Sequence, residues 1–158
     1  MLNEGIVLGL YISSQGIKVD PSKIQIIVNL PIPKTQKEVR IFLGYASYYR
    51  RFIEHFSKIA SPLFKLLEKD TPFNWNENCE KAFETLKEKL STTPVLKGPN
   101  WSLLFHIFTD ASDTAVGASL GQKEESCHYA IYFISKNLTP AELTKQSQKK
   151  KCLQSYML

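Results

Sequence analysis

Between Val39 and Ile53 the apolar residues recur at every third or fourth position: Val39, Phe42, Leu43, Ala46, Tyr49 and Ile53. At 100° per residue these six share one side of a helix, while Arg40, Gly44, Ser47, Tyr48 and Arg51 fall on the other. Thr35 and Glu38 stand three apart at its start, the spacing of a capping box in which each side chain satisfies the other's amide. The segment "FLGYASYYRRFIEHFSKIASPL", Phe42 to Leu63, therefore reads as unbroken helical sequence with a core face and a second face of different character.

The second face is the less ordinary one. Gly44 lies mid-helix, where glycine costs about 1 kcal/mol relative to alanine, so its presence calls for a reason. Gly44 and Tyr48 are four apart and stack on one face, flanked by Arg40 and Arg51. Close approach of a nucleic-acid duplex, with guanidinium groups beside phosphates, is one reason. Tight packing against another protein helix, with the arginines merely solvated, is the other. Spacing alone leaves both open.

The remaining pattern alternates between strand and helix. Gly5–Ile12 reads as a strand, "SSQG" as a turn and "IKVD" as the returning strand. Pro21 is expected to end it, with a short helix over Ser22–Leu30 that turns Ile24, Ile27 and Val28 inward. Ser61-Pro62 resembles a cap with proline at the first helical position, opening a short helix through Leu67. Asn76–Leu90 is amphipathic, with Cys79, Ala82, Phe83, Leu86 and Leu90 inward and its charges, Glu77 and Lys81 among them, forming a solvated face. Leu103–Thr109, Val116–Leu120 and His128–Ile134 read as an antiparallel meander, and Thr139-Pro140-Ala141-Glu142 as a further helix start.

Composition sets outer limits. Of 158 residues, 43% are hydrophobic, enough to build a core. Lys and Arg exceed Asp and Glu by 20 to 15, a weak pointer to a polyanionic partner. The excess is concentrated between Lys34 and Lys69, around the two-faced segment. Cys79, Cys127 and Cys152 are far apart, which suits a reducing compartment and neither a disulfide framework nor a zinc site. No secretory leader begins at Met1–Glu4, and no apolar run approaches membrane-spanning length. The expectation is an intracellular protein, cytoplasmic or nuclear, with no membrane partner.

Four stretches in collinear order resemble one family. "FLGYASYYRRFIEHFSKIASPLFKLL" resembles the thumb of the reverse transcriptases of gypsy-class LTR retrotransposons, and "VLGLYISSQGIKVDPSKI" their primer-grip hairpin. "FNWNENCEKAFETLKEKLSTTPVL" resembles the connecting segment, and "FHIFTDASDTAVGASLGQ" the opening strands of the RNase H domain. The resemblance implies an α+β chain. Its parts are a primer-grip hairpin and the end of the palm (1–33), a helical thumb (34–71), a connection (72–100) and a truncated RNase H-like domain with a three-stranded antiparallel sheet (101–158). It also implies that Arg40, Gly44 and Tyr48 track the minor groove of a template–primer duplex, with Leu8 and Gly9 at the primer-grip turn; helical spacing adds Arg51 to the nucleic-acid-binding residues expected on that face.

Asp110, in "FTDAS", matches the first of four metal-binding carboxylates in the family, whose intact members use Mg2+. Hydrolysis of a phosphodiester needs several carboxylates around two cations. The second is expected in the motif that here reads "SQKKKCL", with Lys149 and Lys151 in place of glutamates. Asp113 has the ordinary role of a turn residue. No bound metal is expected, the Asp110 site is vestigial, and the polymerase carboxylates would precede Met1. The expected protein is thus a polyprotein remnant without activity of its own. Alternatives are a retained nucleic-acid-binding module and a chain that complements an intact polymerase. The apolar edge "LLFHIFT" predicts self-association, and the last residues are expected to fray.

Overall fold

The computed structural model describes residues 4–143, which form two three-stranded antiparallel sheets and four principal helices. Lys149, Lys151 and the expected fraying of the chain end lie outside these residues.

The first sheet is a meander of β1 (Gly5–Val7), β2 (Leu10–Ser13) and β3 (Gly16–Val19). The single strand expected over Gly5–Ile12 is broken in two. Leu8 and Gly9 both take positive φ, 51° and 73°, the backbone sign pattern that matches a hairpin turn to strand twist. A leucine there is unfavourable by about 1–2 kcal/mol, which is why the alternation gave no warning of it. Gly16 is constrained twice over. Its φ is +132°, and a Cβ would stand 2.3 Å from the Leu96 carbonyl oxygen. That close approach lets Ile17 and Leu96 exchange two backbone hydrogen bonds, of 2.8 and 2.9 Å, tying β3 to the segment beyond the last helix.

Pro21 starts a helix rather than ending a strand. In α1 (Pro21–Val28) it holds the first turn, where a missing N–H costs nothing, and the Asp20 carboxylate accepts from the Ser22 amide. α2 (Gln36–Tyr48) is capped by Thr35, whose hydroxyl accepts from the Glu38 amide at 3.3 Å. The capping box is only half formed, because the Glu38 carboxylate accepts from Lys34 at 2.6 Å. The expected unbroken helix stops at Tyr49. A 3-10 turn, Arg50–Phe52, follows, and His55 at φ 58° reverses the chain into α3 (Phe56–Lys65). Pro62 lies inside α3 rather than opening a new helix. α4 (Glu77–Ser91) is capped by Asn76, as its periodicity predicts.

One core joins these helices. Val39, Phe42, Leu43 and Ala46 from α2 meet Phe56, Ala60 and Leu63 from α3 and Cys79, Phe83, Leu86 and Leu90 from α4. The Phe42 and Phe83 ring centroids are 4.6 Å apart. Burying each such ring contributes about 1.5–3 kcal/mol.

The second sheet has the order β4 (Phe105–Ala111), β5 (Ala115–Glu124), β6 (Cys127–Asn137), a meander as expected but with longer strands. It docks on the helices through a buried serine pair. The Ser57 amide donates to Ser135 Oγ at 2.9 Å, and the Ser57 hydroxyl to the Ser135 carbonyl at 2.9 Å. After β6, at the helix start expected there, the Thr139 amide and hydroxyl both donate to Glu142 and the Glu142 amide donates to the Thr139 hydroxyl, a capping box. The Lys136 ammonium, then Thr139, hold the Glu142 carboxyl down at about 2.

Gly16→Ala is expected to destabilise the fold by at least about 1–3 kcal/mol, since both conformation and space oppose a Cβ. Urea unfolding checks this; an unchanged midpoint would mean that the Ile17–Leu96 pairing does not hold the first sheet.

Candidate nucleic-acid interface

Two of the sequence-predicted regions meet at the C-terminal end of α2. The Tyr48 hydroxyl donates to the Leu8 carbonyl at 2.6 Å, and the Tyr49 hydroxyl reaches the Gly9 carbonyl at 3.5 Å. The Gly9 carbonyl also accepts from the Asp20 amide at 3.2 Å. A Cβ on Gly9 would lie 3.0 Å from the Tyr49 oxygen, so glycine permits this approach as well as the positive φ. The two tyrosine rings meet edge to face at 4.9 Å. Tyr49 is buried, and burial first, with Tyr48 and Asp20 nearby, raises its hydroxyl pKa. It stays a neutral donor throughout the physiological range. The tyrosine pair thus holds the turn of the first sheet against the helix and leaves Leu8, 83% exposed, at its tip.

Along α2 the exposed residues Arg40, Gly44 and Tyr48 follow one another at intervals of four. They border a groove of about 630 Å³ between α1 and α2, whose other walls include Lys23, Ile26 and Tyr45. A Cβ built on Gly44 would meet no atom within 4 Å. No helix of the described chain packs there, so of the two reasons for a mid-helix glycine, internal close packing is set aside. None of Lys23, Ile26 and Tyr45 stands out in the sequence. Tyr45 belongs to α2 itself, whereas Lys23 and Ile26 reach the groove through the packing of α1, which periodicity within either helix does not encode.

Arg51 is elsewhere. Because α2 ends at Tyr48, the helical angle carried through position 51 no longer applies. The Arg51 guanidinium lies 5.6 Å from the centre of the Tyr132 ring on β6, and Arg50 donates to the Ser135 carbonyl at 3.3 Å. Both arginines face the second sheet.

Asp110 sits on β4 opposite Gly117, with its side chain 67% exposed. Its carboxylate lies 3.8 Å from Nδ1 of His55, whose Nε2 stands 3.6 Å from the Glu54 carboxylate. Among the described residues no three His, Cys, Asp or Glu side chains are grouped to hold a metal ion. Mg2+ demands a near-octahedral set of oxygens, and one carboxylate beside an imidazole does not fit it. No helix of the described residues is long and apolar enough to cross a membrane.

The fold of this chain matches part of solved foamy viral protease-reverse transcriptases. The structure of foamy viral protease-reverse transcriptase dRH with double-stranded DNA superposes with a TM-score of 0.75, at 23% identity, covering 89% of this chain and 25% of that one. The same enzyme without that designation, also with double-stranded DNA, gives 0.75 at 21% identity, covering 99% and 34%. At these identities the likeness is one of fold. The family model of the RNase H-like domain found in reverse transcriptase matches residues 75–157, more than half of the chain, and the chain belongs to that family. Curated relatives include Pol polyproteins of retrotransposons. That of Drosophila melanogaster transposon 297 is 38% identical over 151 residues, spanning 95% of this chain and 14% of the relative. That of transposon 412, also from Drosophila melanogaster, is 34% identical over 146 residues, spanning 92% and 12%. The Tf2-3 polyprotein of Schizosaccharomyces pombe is 35% identical over 147 residues, spanning 92% and 11%. The chain therefore spans only about one seventh or less of the length of these three relatives.

Tyr48→Phe removes the hydroxyl that holds Leu8 and is expected to cost about 0.5–1.5 kcal/mol locally. Amide exchange at β1 and β2 should quicken while the helices keep their protection. Unchanged exchange in the first sheet would show that the turn stands without the tyrosine.

Proposed function

We propose that the chain is the primer-grip (1–33), thumb (34–71), connection (72–100) and opening RNase H-like (101–158) portion of a retrotransposon Pol polyprotein. In this reading it holds an RNA–DNA hybrid or duplex DNA on the outward face of α2 and does not itself catalyse. Leu8 and Gly9 form the grip turn, Arg40 meets phosphate, and Gly44 with Tyr48 lies along the minor groove. Arg51, turned to Tyr132, is left out of that surface. The observation that carries the proposal is Gly44: a residue unfavourable in a helix, exposed, with empty space where its side chain would be. Within the fold nothing requires glycine there, whereas a flat ligand lying against the backbone does. The foamy viral enzymes, whose fold this chain shares, were solved with double-stranded DNA and with RNA/DNA hybrid, which supports the same class of ligand.

The reading without catalysis rests on Lys149 and Lys151 standing in place of glutamates and on Asp110, which belongs to no group of three potential metal ligands among the described residues. Intact members of the family would use Mg2+ at that position. The β4 edge exposes Ile107 and Phe108, at 70% and 53%, and supports self-association through that strand.

Gly44→Ala separates the two reasons for the glycine. Relieved of the mid-helix penalty, the variant is expected to gain up to about 1 kcal/mol in thermal or urea unfolding. Its affinity for a labelled RNA–DNA hybrid, read by fluorescence anisotropy, should nonetheless fall several-fold. A variant that is more stable and binds as well as the original would refute the proposed face.

A further inference from the structure

A second, larger groove runs between α3 and α4, with a volume of about 970 Å³ and no lining residue in common with the groove on α2. Lys58 and Lys65 face it from α3, and Lys81 and Lys89 from α4. All four are exposed, and none forms an ion pair among the described residues. Helical spacing explains their convergence. Lys58 and Lys65 are seven residues apart and Lys81 and Lys89 eight, so each pair returns to one face after two turns, about 10–12 Å along the axis. The acids of α4 do not line this side: Glu77, Glu80, Glu84 and Glu88 are all absent from the groove, and Glu80 is occupied by the Trp75 indole at 2.6 Å. The groove's single carboxylate is Glu54, at one end beside His55.

We infer that this groove is a second nucleic-acid site, which takes a single strand by its phosphates without reading its bases. Four like charges lining one groove against a single carboxylate, Glu54 at its end, are electrostatically unfavourable, and a polyanion relieves that repulsion while releasing its own counterions. The walls contain no Phe, Tyr, Trp or Arg. Base stacking is therefore not provided, nor the aromatic and arginine anchors on which protein partners depend. Lysines act as point charges on flexible stems and suit a repeating phosphate rather than the planar geometry of one carboxylate. Ser61, Asn78 and Thr85, between the lysines, add neutral donors. The site is independent of the duplex face, and a strand held there would lie against α3 while α2 carries the double-stranded part.

The test is anisotropy with a labelled oligothymidylate and with an uncharged-backbone oligomer of the same sequence, over about 50–200 mM salt. The full chain is compared with a variant carrying Lys58→Gln, Lys65→Gln, Lys81→Gln and Lys89→Gln, and with one in which the same four are arginine substitutions. The glutamine variant should bind the oligothymidylate at least tenfold more weakly, and its log–log salt slope should fall by up to about 3, at roughly 0.7 per phosphate contact. The arginine variant should keep its binding, and the uncharged oligomer should bind none of the three proteins. Unchanged affinity and slope in the glutamine variant would overturn the inference, as would binding of the uncharged oligomer or equal competition by polyglutamate. Should the glutamine variant not fold, the arginine variant and the uncharged oligomer still decide. Hybrid affinity of Gly44→Ala reports on the α2 face alone, so either site can fail without the other.

Discussion

The core shared by α2, α3 and α4, in which the Phe42 and Phe83 rings meet, is what the structure depends on. It fixes which side of α2 faces inward, and by the same rotation which side faces water. Arg40, Gly44 and Tyr48 are an outer surface because Val39, Phe42, Leu43 and Ala46 are fully buried. The core also receives Val19, Ile27 and Leu96, so the first sheet is drawn to the same bundle that orients α2. Tyrosines 48 and 49 then use their hydroxyls to hold the turn of that sheet beside the exposed face. Core packing and the proposed ligand surface are therefore two sides of one helix.

The interruption after Tyr48 does the complementary work. Ending α2 there turns Arg50 and Arg51 away from the α2 face and toward β6. Reversal at His55 brings Ser57 into contact with Ser135. The second sheet is held by a few directional hydrogen bonds and by Ala130 and Phe133 at the margin of the core, rather than by a large apolar interface of its own. Asp110 is thereby set beside His55.

Much of this was legible in the sequence where one physical signal governed the outcome. The buried positions of α2 and α4 follow from their 3.6-residue period, and the second meander from alternation between turn signals. Legibility failed where distant contacts overrode local preference. Leu8 takes a left-handed backbone that its type disfavours, because Tyr48 and Asp20 hold the turn from outside. Pro62 continues a helix that local rules would have it begin. Arg51 was assigned to a face by an angle that assumes an unbroken helix. Periodicity puts Arg40, Gly44 and Tyr48 on one side of α2, and all three are exposed there, while the groove walls on α1 and the Ser57–Ser135 junction depend on tertiary packing that neither periodicity nor motif spells out.

The central claim is that one continuous surface, the Leu8–Gly9 turn together with the outer face of α2, meets the double-stranded ligand. Hydrogen–deuterium exchange with and without a short RNA–DNA hybrid tests it most directly. The account predicts added protection at the Leu8–Gly9 turn and across residues 40–48, with the β4 edge unchanged. Protection confined to β4–β6, with none along α2, would contradict it.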